Sequence, residues 1–202
     1  MTTTRGRPRS FDRDMLLDKA IRMFWTNGYE ATSVRDLTCE LGIAAPSLYN
    51  TFGGKQQLFA EAVEVYDRVY GGFIDAALAE EPTARLAAVR IFTEAPARYT
   101  RRGLPTGCLV VSGDAGTPDP AVRRAMRSIR ERKVAQFADK VRADIDAGRI
   151  AADVNPEALG RYVMAVLSGI AQQARDGVSR AKLDQLAAVA VDLTVTSPAP
   201  ER

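Results

Sequence analysis

Apolar residues recur along this chain at intervals of three and four, and no stretch alternates long enough to argue for a strand, so the pattern predicts an all-α fold. The run 108–111 is a short exception, too brief to build on. Leu17, Ala20, Ile21 and Phe24 form one stripe, which predicts a first helix over about 10–26, capped by Ser10 and ended by Asn27 and Gly28. Ser33 and Asp36 make an S-x-x-D capping box ahead of Val34, Leu37 and Leu41, and that helix stops at Gly42. A short third helix begins near Ala45 with Pro46 in its first turn, turns Leu48 and Phe52 inward and ends at Gly53 and Gly54. A long fourth helix is predicted over 55–79 on the stripe Phe59, Ala62, Tyr66, Val69 and Phe73.

The spacing resumes at Ala88, Phe92, Ala95 and Tyr99, where Pro96 is expected to kink a helix and free a carbonyl. A turn-rich loop over 101–107 follows. Asp119 and Pro120 open a long helix on Val122, Met126, Ile129, Phe137, Val141 and Ile145, Asn155 and Pro156 open another, and Ser179 caps a last one. The organisation expected is a basic arm (1–9), a helix-turn-helix head (10–54), a helical body (55–196) joined to it by the fourth helix, and a tail (197–202) read as disordered.

The segment 32–52 carries the most chemistry. A capped helix, a glycine turn and a short helix with few apolar residues have helix-turn-helix spacing, and the outward residues of the second helix are then free to meet base edges in a major groove. Ala45, Pro46, Ser47, Tyr49 and Asn50 are small, polar or aromatic, as such a surface requires. A tight αα-corner in an ordinary core would show the same spacing. Lys55 places a cation at a helix start, against the macrodipole, and an anion such as a phosphate would reconcile the two. Arg5 and Arg7, within Arg-Gly-Arg-Pro-Arg, look like the core of an AT-hook whose arginines enter a narrow minor groove.

Composition narrows the choice of function. The 202 residues are 46% hydrophobic and 26% charged, with a net charge of +3, which suits a folded protein and only weakly favours nucleic acid. There is no histidine, the two cysteines (Cys39 and Cys108) lack metal-ligand spacing, and no phosphate loop is present, so no enzyme, metal site or cofactor is expected. Neither a membrane span nor an export signal is legible, and a cytoplasmic protein is expected.

The motifs Ala-Ile-Arg-Met-Phe (20–24), Gly-Tyr-Glu-Ala-Thr-Ser-Val (28–34), Leu-Gly-Ile (41–43), Ser-Leu-Tyr (47–49), Phe52 and Lys-Gln-Gln-Leu-Phe (55–59) closely resemble the TetR family of repressors. Gly53 and Gly54 depart from it, standing where a proline or serine is frequent before the lysine. The resemblance implies nine helices, a homodimer, operator binding by the first three helices and an effector pocket in the remainder. By position it implies DNA-facing roles for Thr32, Ser33, Ala45, Pro46, Ser47, Tyr49, Asn50 and Lys55.

The expected function is therefore a sequence-specific repressor of double-stranded operator DNA, released by a small, largely apolar or aromatic molecule. Phe92, Tyr99, Met126, Phe137 and Tyr162 are the expected pocket walls, although each of them also suits an ordinary core. Leu159, Val163, Val166, Ile170, Leu183, Leu186 and Leu193 are expected at a dimer interface built from the last two helices, with Gly160, Ala165 and Gly169 permitting close approach. Arg123, Arg124, Arg127, Arg130, Arg132 and Lys133 read as a solvated face or as partners of an acidic effector. Two alternatives remain open: a repressor that senses oxidation at Cys108, and an architectural protein that binds DNA through the basic arm without sequence preference.

Overall fold

The computed structural model describes residues 9–196, with side chains over 13–194. Arg5, Arg7 and the tail 197–202 lie outside the described residues. Within the described residues ten helices follow one another: α1 (Arg9–Asn27), α2 (Val34–Leu41), α3 (Ala45–Phe52), α4 (Lys55–Val69), α5 (Gly72–Glu80), α6 (Ala84–Tyr99), α7 (Leu109–Ser112), α8 (Pro120–Asp146), α9 (Pro156–Arg175) and α10 (Arg180–Thr196). No strand occurs among them, and the all-α expectation is met.

Local chemistry sets the head. The capping box is fully formed: the Asp36 N–H donates to the Ser33 hydroxyl oxygen, and the Ser33 N–H donates to the Asp36 carboxylate. Gly42 ends α2 in the left-handed region at φ 68°, closing the turn into α3. Leu37, Leu41, Leu48 and Phe52 point inward into one core with Phe24, Trp25 and Phe59.

Two differences from the periodic reading have clear causes. The predicted fourth helix breaks after Val69, because the N–H groups of Tyr70 and Gly71 both turn to the Tyr66 carbonyl. A Cβ on Gly71 would sit 2.7 Å from the Asp67 carbonyl oxygen, so only glycine allows this close fold-over. The run 108–111 is helical in its last three residues, opening the single turn of α7; with the break, the eight helices of the periodic reading become ten among the described residues, against the nine that the family resemblance implies.

Two cores result. The first joins the head to α4, α7 and the N-terminal half of α8 through Leu58, Tyr66, Leu109, Val122, Met126 and Ile129. The second packs α5, α6, α9 and α10 with the C-terminal half of α8, around Ile91, Phe92, Phe137, Ile170 and Leu183. Polar bonds fasten the head to the body: the Tyr29 N–H donates to the Gly113 carbonyl at 2.8 Å and the Trp25 Nε1–H to the Gly107 carbonyl at 3.2 Å. Arg175, at the end of α9, donates to the Trp25 and Thr26 carbonyls. A cation thus meets the negative end of the α1 dipole.

Candidate nucleic-acid interface and cavity

α3 is held by two buried side chains, Leu48 and Phe52, while Ala45, Pro46, Ser47, Tyr49 and Asn50 are all exposed, together with Thr51, which the spacing did not single out. Tyr49 is 53% exposed. Ser33 is exposed and its hydroxyl is engaged in the α2 cap. Thr32 does not fit its expected role. It is fully buried, and its hydroxyl donates to the Gly28 carbonyl at 2.7 Å, so its side chain fixes the α1–α2 turn from inside. Lys55 opens α4 with its ammonium 4.1 Å from the centroid of the Tyr29 ring, a cation–π contact that aims the charge at the head. Burial, and then the Asp119 carboxylate, push the Tyr29 phenol up.

The basic residues of α8 divide in two. Arg123, Arg124 and Arg127 are exposed. Arg130 instead pairs with Asp114 at 2.9 Å, Arg132 with Asp67 at 2.7 Å, and Lys133 with Asp75 at 2.7 Å and Asp67 at 3.3 Å. Lys133 is buried, so a single solvated face is not what the fold makes.

Between the two cores lies a cavity of about 310 Å³. Its apolar wall includes Phe73, Ile74, Val110, Val134 and Leu167, and its polar groups include the phenols of Tyr66 and Tyr99 and the thiol of Cys108. Burial pushes the Cys108 thiol up, and burial beside that sulfur holds both phenols well above their ordinary range. Of the five residues expected to form a pocket, only Tyr99 lines this one. Phe92 and Phe137 are consumed by the second core, Met126 by the first, and Tyr162 is 43% exposed on the outside of α9. Periodicity placed Tyr66 and Phe73 on one helix face without a cavity. The Gly71-Gly72 pair was the available signal, since a glycine pair inside an apolar stripe marks a break where packing opens.

The expected interface residues divide similarly. Val163, Ile170 and Leu183 are buried in the chain's own second core, so their apolar surface is already spent. A Cβ on Gly160 would lie 2.7 Å from the Val134 carbonyl oxygen, so this glycine serves contact between α8 and α9 of the same chain. Leu159, Val166 and Leu186 are half-buried, and Leu193 is 58% exposed.

Family models match both parts of this architecture: residues 16–62 match the bacterial regulatory proteins of the tetR family, and residues 82–189 match the tetracyclin repressor-like C-terminal domain. The chain belongs to the TetR family of transcriptional regulators. It is 32% identical to the HTH-type transcriptional repressor ComR of Escherichia coli K12, over 94% of this chain and 92% of that one. It is 28% identical to the repressor BdcR of the same organism, over 92% and 90%. Among solved structures, a cysteine mutant of the TetR family regulator CifR, complexed with 26-bp double-strand operator DNA, superimposes with a TM-score of 0.84 at 37% identity, covering 95% of this chain and all of that one. No described helix of this family member is long and apolar enough to cross a membrane.

Proposed function

We propose that this TetR-family chain is a transcriptional repressor whose α3 enters the major groove of operator DNA, and that a small molecule entering the cavity between the two cores releases it. The observation that carries the reading is the division of labour on α3: Leu48 and Phe52 anchor it, and the outward residues Ala45, Pro46, Ser47, Tyr49, Asn50 and Thr51 have no part in the core. The similar CifR is complexed with double-strand operator DNA, which supports reading this chain as an operator binder. Ser47 and Asn50 read base edges in this scheme, and Tyr49 and Lys55 hold phosphates.

The cavity and the head share one element. α4 begins at Lys55 and carries Tyr66 and Asp67 on the cavity wall, a helix about 22 Å long that transmits displacement at one end to the other. A ligand that binds better when α4 is displaced shifts the population away from the DNA-competent spacing of two heads. The cations on the cavity wall already have carboxylate partners: Arg130 with Asp114, Lys133 with Asp75, and Arg161 with Glu131. A charged ligand would therefore lose its hydration without gaining a free counter-charge, which favours an uncharged, mostly apolar molecule.

Two heads require a dimer. Tyr162, Val189 and Leu193 are exposed large side chains on α9 and α10, beside the open positions Ala165 and Gly169, and this face is the one proposed to pair across a two-fold axis. The operator is then a near-palindrome with half-sites about 34 Å apart.

The test begins by selecting an operator from random duplexes and measuring binding by Tyr49→Ala and Lys55→Ala. Both variants should bind more weakly, with Lys55→Ala weakening all operator variants alike and lowering the salt slope by about one unit. Unchanged affinity in both, with the fold intact, would remove the docking scheme.

A further inference from the structure

For a DNA reader, the head is poorly charged. Residues 10–54 hold four cations (Arg13, Lys19, Arg22 and Arg35) against six carboxylates, leaving −2. Three of those cations are engaged: Arg13 with Glu61, Arg22 with Asp18, and Lys19 with the Glu40 carbonyl. A duplex presents a phosphate charge every ~1.7 Å along its axis, so a head with this balance needs cations from elsewhere in the protein.

The first two turns of α8 supply three. Arg123, Arg124 and Arg127 are exposed, and neither the Arg123 nor the Arg124 guanidinium has an ion-pair or hydrogen-bond partner among the described residues; Arg127 lies close enough to Glu131, one turn on, to act on its carboxylate. Elsewhere on α8 the arginines are paired: Arg130 with Asp114, Arg132 with Asp67 and Arg142 with Asp139. The Asp119 carboxylate caps this end of α8 but is taken by the Ala121 and Val122 N–H groups and by the Gln56 amide, so three cations near the positive end of the helix dipole still call for a further anion.

Their position is fixed relative to the head. The Gln56 amide, next to Lys55, donates to the Asp119 carboxylate at 2.9 Å, and the same Asp119 caps α8 through the N–H groups of Ala121 and Val122. Val122, Met126 and Ile129 bury the inner side of these turns in the head's own core. The arginines thus lie within about two turns, some 11 Å, of the residue bonded to the start of α4.

We propose that Arg123, Arg124 and Arg127 form an accessory phosphate-binding surface that grips the DNA backbone beside the half-site read by α3. This rests on the reading of the chain as a duplex-DNA binder. It assigns to the body a part of the affinity that the head alone would otherwise have to supply, and it adds no sequence preference, because a guanidinium on a phosphate reads no base.

The experiment measures binding to the selected operator and to a random-sequence duplex of about 30 base pairs over a range of salt. In the variant R123A/R124A/R127A the slope of log K against log salt should fall by about 2 to 3 units for both duplexes, with their affinity ratio unchanged and the melting temperature preserved. Arg142→Ala, an exposed arginine on the far half of the same helix, should leave the slope as it is. Should the triple variant fold poorly, Arg123→Gln and Arg124→Gln each carry the test, with about 0.9 unit expected from each. A wild-type slope in these variants, or an equal loss per charge in Arg142→Ala, overturns the proposal. Failure of the unaltered protein to bind either duplex would instead overturn the DNA-binding reading itself.

Discussion

The two cores of this molecule differ in what fills them. The first is an interlocked aromatic cluster, with ring centroids 5.0 Å apart for Phe24 and Phe59, 5.0 Å for Tyr29 and Phe59, and 4.7 Å for Trp25 and Tyr66. The second is thinned by alanines: Ala84, Ala87, Ala88 and Ala95 on α6, Ala171 and Ala174 on α9, and Ala187 and Ala190 on α10. Small residues bring helices close but leave little side-chain volume to fill the margin, and the cavity lies where the two kinds of packing meet. A filled core holds a recognition helix at one angle. A core with a hollow edge has room to accept a ligand and to repack around it.

Truncation in the filled core should cost the most. Phe59→Ala removes a ring that is 1% exposed and makes two edge contacts, and should cost about 3–5 kcal/mol with a matching fall in melting temperature. Leu167→Ala, on the cavity wall, enlarges a space that already exists and should cost close to the lower limit of the ~2–5 kcal/mol range for such a truncation. Calorimetry on both variants sets the regions side by side, and equal losses would mean that the cavity wall is packed as tightly as the head.

The head also depends on a local cap, with a more modest contribution. Ser33→Ala should cost about 1 kcal/mol by removing the α2 cap. That contribution should depend on pH. Hydrogen bonds, first from the Ser33 hydroxyl and then from its backbone N–H, hold the Asp36 carboxyl below the usual carboxylate range. A depressed folded-state value means that this contribution is present above the unfolded carboxylate value of about 3.9 and is lost as pH falls through the lower folded one. Acid titration of thermal stability should therefore show a shallower loss in Ser33→Ala than in the unaltered protein, and parallel curves would show that the cap does not carry the dependence.

Least change of all is expected at Cys108, on the hollow side. Because burial pushes its thiol up, little thiolate is available at neutral pH, and oxidation should be slow despite the neighbouring cavity. Brief hydrogen peroxide treatment should leave operator binding unchanged in both the unaltered protein and Cys108→Ser. Release of the former but not the latter would replace the ligand reading with an oxidative switch.

Features that depend on neighbours along the chain were legible in the order of residues alone. Periodicity marked the helices, side-chain oxygens at Ser33 and Asp36 marked the cap, and Leu48 and Phe52 against Ala45, Ser47 and Tyr49 marked the two sides of α3, because residues three and four apart share a helix face whatever that face meets. Packing across the molecule settled what each face meets. Phe92, Met126 and Phe137 are apolar and helical in either setting, and only the packing of the helices sent them inside the cores and left Tyr66, Phe73 and Leu167 at the core margin that lines the cavity. Thr32 was drawn inward by a bond to Gly28, and Lys133 found Asp75 across 58 residues of sequence while the guanidinium groups of Arg123 and Arg124 found no partner among the described residues. A local pattern encodes the direction of a side chain relative to its own helix, whereas burial, pairing and enclosed space arise from elements brought together across long stretches of chain, and those distances are set only when the whole molecule packs.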